Sequence, residues 1–162
     1  MSDLSKNTCA ARELMNGMKG SCSQAIFATF GPYMGEKGVD AETCMKIASA
    51  FSGGINLTGN VCGALTGALM AIGLEFGDEN PMNPKVAEIS TRLLEEFKAI
   101  NGSILCRDLI QYDGGTDDVD MMKAFESGAF DKPPPLTYCT LMTKKRTYSG
   151  VSDIVSVLII HP

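Results

Sequence analysis

The residues best suited to chemistry in this chain are its cysteines, Cys9, Cys22, Cys44, Cys62, Cys106 and Cys139, while the only histidine, His161, lies beside the C-terminus. Four of these cysteines stand near the expected start of a structural element. Cys22 follows Gly20-Ser21, Cys62 follows the glycine-rich stretch SGGINLTGN, Cys106 lies just after Ser103, and Cys139 comes after the rigid DKPPPL segment. A thiol in the first turn of a helix faces the positive end of the peptide dipoles and several unpaired amide donors, both of which favour thiolate. Thiolate is the form that binds metal or attacks a disulfide. Cys9 and Cys44 fall within expected helices instead, and read as small core hydrophobes.

The spacing excludes several chemistries. No two cysteines form CxxC and there is no CxxCH, so zinc-finger and c-type haem sites are ruled out. The cysteines are too dispersed for a ferredoxin ligand run. GGINLTGN lacks the GK[ST] ending of a phosphate-binding loop, and one histidine beside the terminus makes no Ser-His-Asp system. Three readings stay open on the residues alone: a metal centre, a thiol-disulfide pair brought together by the fold, or a helical binding module whose cysteines fill the core or hold structural zinc.

A formal net charge of -5 and a pI near 4.8 oppose binding to nucleic acid or to an anionic membrane surface. No apolar run approaches the roughly 18 residues of a membrane span, so no membrane insertion is expected. MSDLSKNTCAARELMNG does not read as a secretory signal, and the expectation is a cytoplasmic protein whose thiols are kept reduced.

These residues must be positioned by helices, because helical punctuation recurs and strand alternation is scarce. A first helix is expected from Leu4 to Met18, stopped by Gly20, and a second after Ser21 with Ala25, Ile26, Phe30 and Tyr33 on one buried face. Asp40 reads as the N-cap of a third, running through Met45, Ile47, Ala48 and Phe51. VCGALTGALMAIG makes a fourth, with Gly63, Gly67 and Ala71 on one stripe that admits either another helix or a bulky group. Asn83-Pro84 starts a long amphipathic helix to Ile100, with Val86, Ile89, Leu93, Leu94 and Phe97 as its stripe, ended by Asn101-Gly102. Ser103 is expected to cap ILCRDLIQY, and Asp117 or Asp118 to open VDMMKAFESG. Met15, Met18 and Met45 fall at core-like spacing. The expected fold is all-α: a single compact domain of about six helices over residues 1–139, then an irregular C-terminal tail, 140–162.

Taken together, GSCSQA around Cys22, the Gly53-Gly54 approach to GNVCGALTGALMAIGLEFG, NGSILCRDLI around Cys106 and LTYC at Cys139 resemble the C_GCAxxG_C_C family. That family is assigned to redox chemistry and is similar to the cluster-bearing part of split-Soret cytochromes, whose haem-attachment motifs this chain lacks. The resemblance implies a small helical protein with converging cysteines. It further implies an iron-sulfur cluster held by Cys22, Cys62, Cys106 and Cys139, with zinc as the alternative occupant. Gly63, Ala64 and Gly67 would back the cluster, the amides near Gly63 and Ala64 donating to its sulfide. The expected role is an electron carrier or redox accessory serving a redox partner protein, rather than an enzyme with its own substrate. A homodimer is a further expectation.

Overall fold

The segment CSQAIFATF contains no charged residue, so nothing in it requires a solvent face. It forms helix α1 (Cys22–Phe30), and Ser23, Ala25, Ile26, Phe27, Ala28, Thr29 and Phe30 are all buried. The sequence predicts one buried face; the helix is instead the axis around which the others pack. The computed structural model that shows this describes residues 10–110 except 12, 16 and 35–37, together with Lys123 and Glu126. Cys9, Cys139, the proline-rich segment and the tail 140–162 lie outside the described residues. The expected domain boundary lies outside them too. Of the two helices expected at the ends, only Ala10, Ala11, Glu13, Leu14, Met15, Lys123 and Glu126 are described as helical.

Helix α2 (Ala41–Ala48) starts where Asp40 Oδ1 accepts from Thr43 N at 2.9 Å, with Glu42 in its first turn. It continues as a 3-10 turn over Ser49–Phe51. Helix α3 (Gly63–Phe76) follows the glycine-rich loop and buries Ala64, Leu65, Ala68, Ala71 and Ile72. Helix α4 (Pro84–Asn101) begins where Asn83 Oδ1 accepts from Lys85 N at 2.9 Å and Val86 N at 3.0 Å, and ends at left-handed Gly102, φ 83°. Of its expected stripe, Ile89, Leu93 and Phe97 are buried and Val86 and Leu94 half-buried. A short last turn, α5 (Cys106–Leu109), completes the described elements. The core is the seam where α1 meets α2 and α3, extended by α4 lying on α3. No described helix is long and apolar enough to cross a membrane.

Three expectations need correction. Tyr33 is 67% exposed, because α1 ends at Phe30 and Gly31–Tyr33 tightens into a 3-10 turn that changes the phase of the pattern. Met18 takes a left-handed conformation, φ 51°, at the end of the first helix and is exposed, so it fills no core. Ser103 does not cap α5; Leu105 holds the N-cap position, and the Ser103 hydroxyl accepts from Leu105 N at 3.0 Å instead.

The stripe of small residues on α3 does two different things. At Gly67 a β-carbon would lie 2.6 Å from the Ser23 carbonyl oxygen and 3.3 Å from Phe27 N, so this glycine lets the backbone of α1 approach. Gly73, further along the same helix, faces open space. The two positions should therefore respond with opposite signs in chemical denaturation. Gly67→Ala is expected to destabilise by about 1–3 kcal/mol through overpacking against backbone, whereas Gly73→Ala is expected to stabilise by about 0.5–1 kcal/mol through helix propensity.

Candidate functional site

The site is built around the loop joining α2 to α3. From Gly53 to Leu57 successive residues have φ of 62°, 76°, 61°, 49° and 61°. For Ile55, Asn56 and Leu57 this left-handed run costs roughly 1–2 kcal/mol per residue, and Ile55 is β-branched, the least tolerant type. Such a conformation persists only where its surroundings fix it. Here Asn56 N donates to Ala50 O at 2.8 Å, Leu57 N to Ser52 O at 3.0 Å, Gly59 N to Gly53 O at 3.0 Å and Asn60 N to Gly54 O at 3.0 Å. Gly54 has no room for a side chain, since its β-carbon would sit 2.5 Å from Asn60 N. The loop is folded back onto its own start.

Its far end is tied to α5. Val61 and Leu105 form an antiparallel bridge, with Cys62 N donating to Ile104 O at 2.8 Å and Cys106 N to Asn60 O at 2.7 Å. This pairing sets Cys62 and Cys106 diagonally on the same face of the bridge, with Cys62 as the N-cap residue of α3 and Cys106 the first residue of α5. Arg107 adds a second clamp: its backbone N donates to Gly59 O at 3.1 Å, its Nε to the same oxygen at 3.2 Å, and its Nη2 to Asn60 Oδ1 at 3.3 Å.

The near end is tied to Cys22. Ser21 and Ser23 flank that cysteine, and Ser52 reaches both, lying 3.0 Å from Ser23 Oγ and donating to Ser21 Oγ. The Ser21 hydroxyl donates to Gln24 Oε1 at 2.9 Å and that of Ser23 to the Ala48 carbonyl at 2.8 Å, which leaves the Ser52 proton shared between the two flanking oxygens. Cys22 itself is half-buried, the first residue of α1, and its sulfur rests on Gly63, where any β-carbon would overlap it. Cys62 and Cys106 are buried.

The described cysteines fall into two groups. Cys22, Cys62 and Cys106 gather at one end of α3, close enough that their charges interact. Cys44 stands apart and fully buried, its Sγ donating to Val39 O at 3.4 Å and backed by Gly31. Burial, with the Asp40 carboxylate second, pushes its thiol up, as befits a core residue.

The electrostatics overturn one expectation. Burial, then Cys62, then Cys22 push the Cys106 thiol from an ordinary 9.0 up to about 12, so the helix start does not make it a thiolate. A four-residue helix has little dipole to set against the loss of water. Among the described residues no three cysteines, histidines or carboxylates close on a common metal-ion position. The start of α3 nevertheless lacks a cap: no side chain accepts from its first turn, and Gly63, Ala64 and Leu65, all buried, have no acceptor for their amides among the described residues. A buried helix start without acceptors is rare, and a ligand is one of the ways it is satisfied.

Of the residues expected to back a bound group, Gly63 and Ala64 lie in this first turn, while the space at Gly67 is taken by α1. Sequence reasoning missed Ser52 and Arg107, which hold the loop at either end; nothing local marks them, because their partners are 29 to 48 residues away.

A helical domain that collects thiols where a glycine-rich loop enters a small-residue helix defines a class of cysteine-based redox protein. Residues 20–148 match the family described as "Putative redox-active protein (C_GCAxxG_C_C)", and the chain belongs to that family. No curated protein and no solved structure matches the chain significantly.

The raised Cys106 thiol has a definite pH signature. Its protonated form is favoured by the fold, so the stability it supports is complete below pH 9.0 and is lost as pH rises from there through about 12. That rise corresponds to roughly 4 kcal/mol. Denaturation of the protein between pH 8 and 11 should show this loss, and Cys106→Ala should flatten it. At pH 8, alkylation followed by mass spectrometry should label half-buried Cys22 before Cys106.

Proposed function

We propose that this protein is an iron-sulfur electron carrier or redox accessory, its cluster held by Cys22, Cys62 and Cys106 with Cys139, which lies outside the described residues, as the fourth ligand. The observation that carries this reading is that Cys62 and Cys22 oppose ionisation of Cys106 beside a first turn of α3 whose Gly63, Ala64 and Leu65 amides have no acceptor among the described residues. A thiol whose neighbours oppose its ionisation gives up its proton readily only where a cationic group compensates the charge, and amides without acceptors favour an anionic one. An iron-sulfur cluster answers both demands, with irons for the thiolates and sulfides for the amides.

The nearness of Cys22, Cys62 and Cys106 at the start of α3 supports such a group, and a polynuclear cluster spreads its thiolates more widely than a single zinc ion does. When bound, the cluster supplies a one-electron couple. The chain holds the thiolates at fixed places through the loop and the Val61-Leu105 bridge, and donates amide hydrogens from the first turn of α3. It excludes water by burying Cys62 and Cys106. Half-buried Cys22 marks the side nearest solvent, where a redox partner protein would approach. Because the thiols must lose protons to bind, loading weakens as pH falls.

Protein purified without oxygen should be brown and contain iron and sulfide. Cys62→Ser should lose most of the visible absorbance and Cys44→Ala should keep it, since Cys44 lies in the core away from the other thiols. A Cys62→Ser protein that stays fully coloured overturns the ligand assignment. A colourless wild-type protein whose free-thiol count falls by two on mild oxidation would replace this reading with thiol-disulfide chemistry, and a colourless, zinc-loaded, redox-silent one with a structural zinc site.

A further inference from the structure

We propose that residues 52–60 form a template for the thiol site, in which Ser52 positions Cys22 and Arg107 positions Cys106 without either side chain being a ligand. The proposal rests on the reading that these thiols act together. One short loop reaches all the described thiols of the site by three routes. At its start, Ser52 lies between the hydroxyls on both sides of Cys22. At its end, the carbonyls of Gly59 and Asn60 accept from the backbone of Arg107 and Cys106. Two residues beyond Asn60 the chain itself becomes Cys62.

The contacts at the two ends are more than general stabilisation of the fold. Without the Ser52 hydroxyl, Ser21 still bonds Gln24 and Ser23 still bonds Ala48, so α1 keeps its own anchors. What disappears is the tie between the first turn of α1 and the loop. Without the Arg107 side chain, Cys106 N still donates to Asn60 O and Arg107 N to Gly59 O. What disappears is the charge-assisted clamp that keeps Gly59 and Asn60 from sliding along α5. The left-handed run between the ends is held by hydrogen bonds within the loop, so the loop keeps its form when one end contact is lost and only the thiol beside that contact is released.

Two readouts test this, one of which needs no metal. In the apoprotein, alkylation rates of individual thiols are measured by mass spectrometry. Ser52→Ala should speed labelling of Cys22 at least threefold with Cys106 unchanged, and Arg107→Ala should do the same for Cys106 with Cys22 unchanged. Arg107→Lys, which keeps a donor to Gly59, should restore most of the protection. Asn83→Ala, which removes a helix cap away from the loop, should accelerate neither thiol selectively. In protein loaded with iron and sulfide, Arg107→Ala should alter the visible and electron-paramagnetic spectra and Arg107→Lys should return them toward wild type. Unchanged rates, or equal acceleration of both thiols in either variant, overturn the template. A wild-type protein that takes up no iron sinks the cluster reading alone, because the alkylation results are obtained on the apoprotein.

Discussion

Everything at the thiol end of the molecule depends on how the chain turns between Gly53 and Asn60. A left-handed run of this length reverses direction within a few residues and returns Gly59 and Asn60 to the carbonyls of Gly53 and Gly54. The reversal carries the chain from the end of α2 to the start of α3 while presenting Gly59 and Asn60 outward to α5. A wider, right-handed connection would release those carbonyls from the Cys106 segment. The glycines at 53 and 54 supply the conformation, but Ile55, Asn56 and Leu57 adopt it only because both ends are fixed.

The second constraint is the absence of side chains on one side of α3. Gly67 brings the backbone of α1 close, and Gly63 leaves a hollow that the Cys22 sulfur occupies. These contacts set the rotation of α1 against α3 and therefore which way Cys22 points. Packing and site are here the same feature. The pattern of small residues admitted two explanations in the sequence, close helix packing or room for a bound group. The structure assigns packing to Gly67 and sulfur contact to Gly63.

Local signals carried far in this chain. Asp40, Asn83 and Gly102 mark helix ends through bonds spanning two to four residues, and each stands where the sequence places it. The gathering of Cys22, Cys62 and Cys106 was legible through the family pattern. Other features were hidden for identifiable reasons. α1 has no charge to mark a solvent face, so its burial all round depends on neighbours that its own periodicity does not encode. The Cys106 thiol is governed by loss of water, a property of the folded surroundings, and this outweighs the dipole argument available from sequence. Ser52 and Arg107 act across long stretches of chain, and a lone serine or arginine in a sequence carries no sign of that.

The uncapped first turn of α3 has a consequence for the life of the molecule as a whole. A group that satisfies those amides binds only the folded form, so by mass action its occupancy adds directly to the work needed to open the domain. Loading state and resistance to local opening then become one quantity. Were a group to dock there, its loss would leave the first turn of α3 with less holding it closed than the rest of the helix.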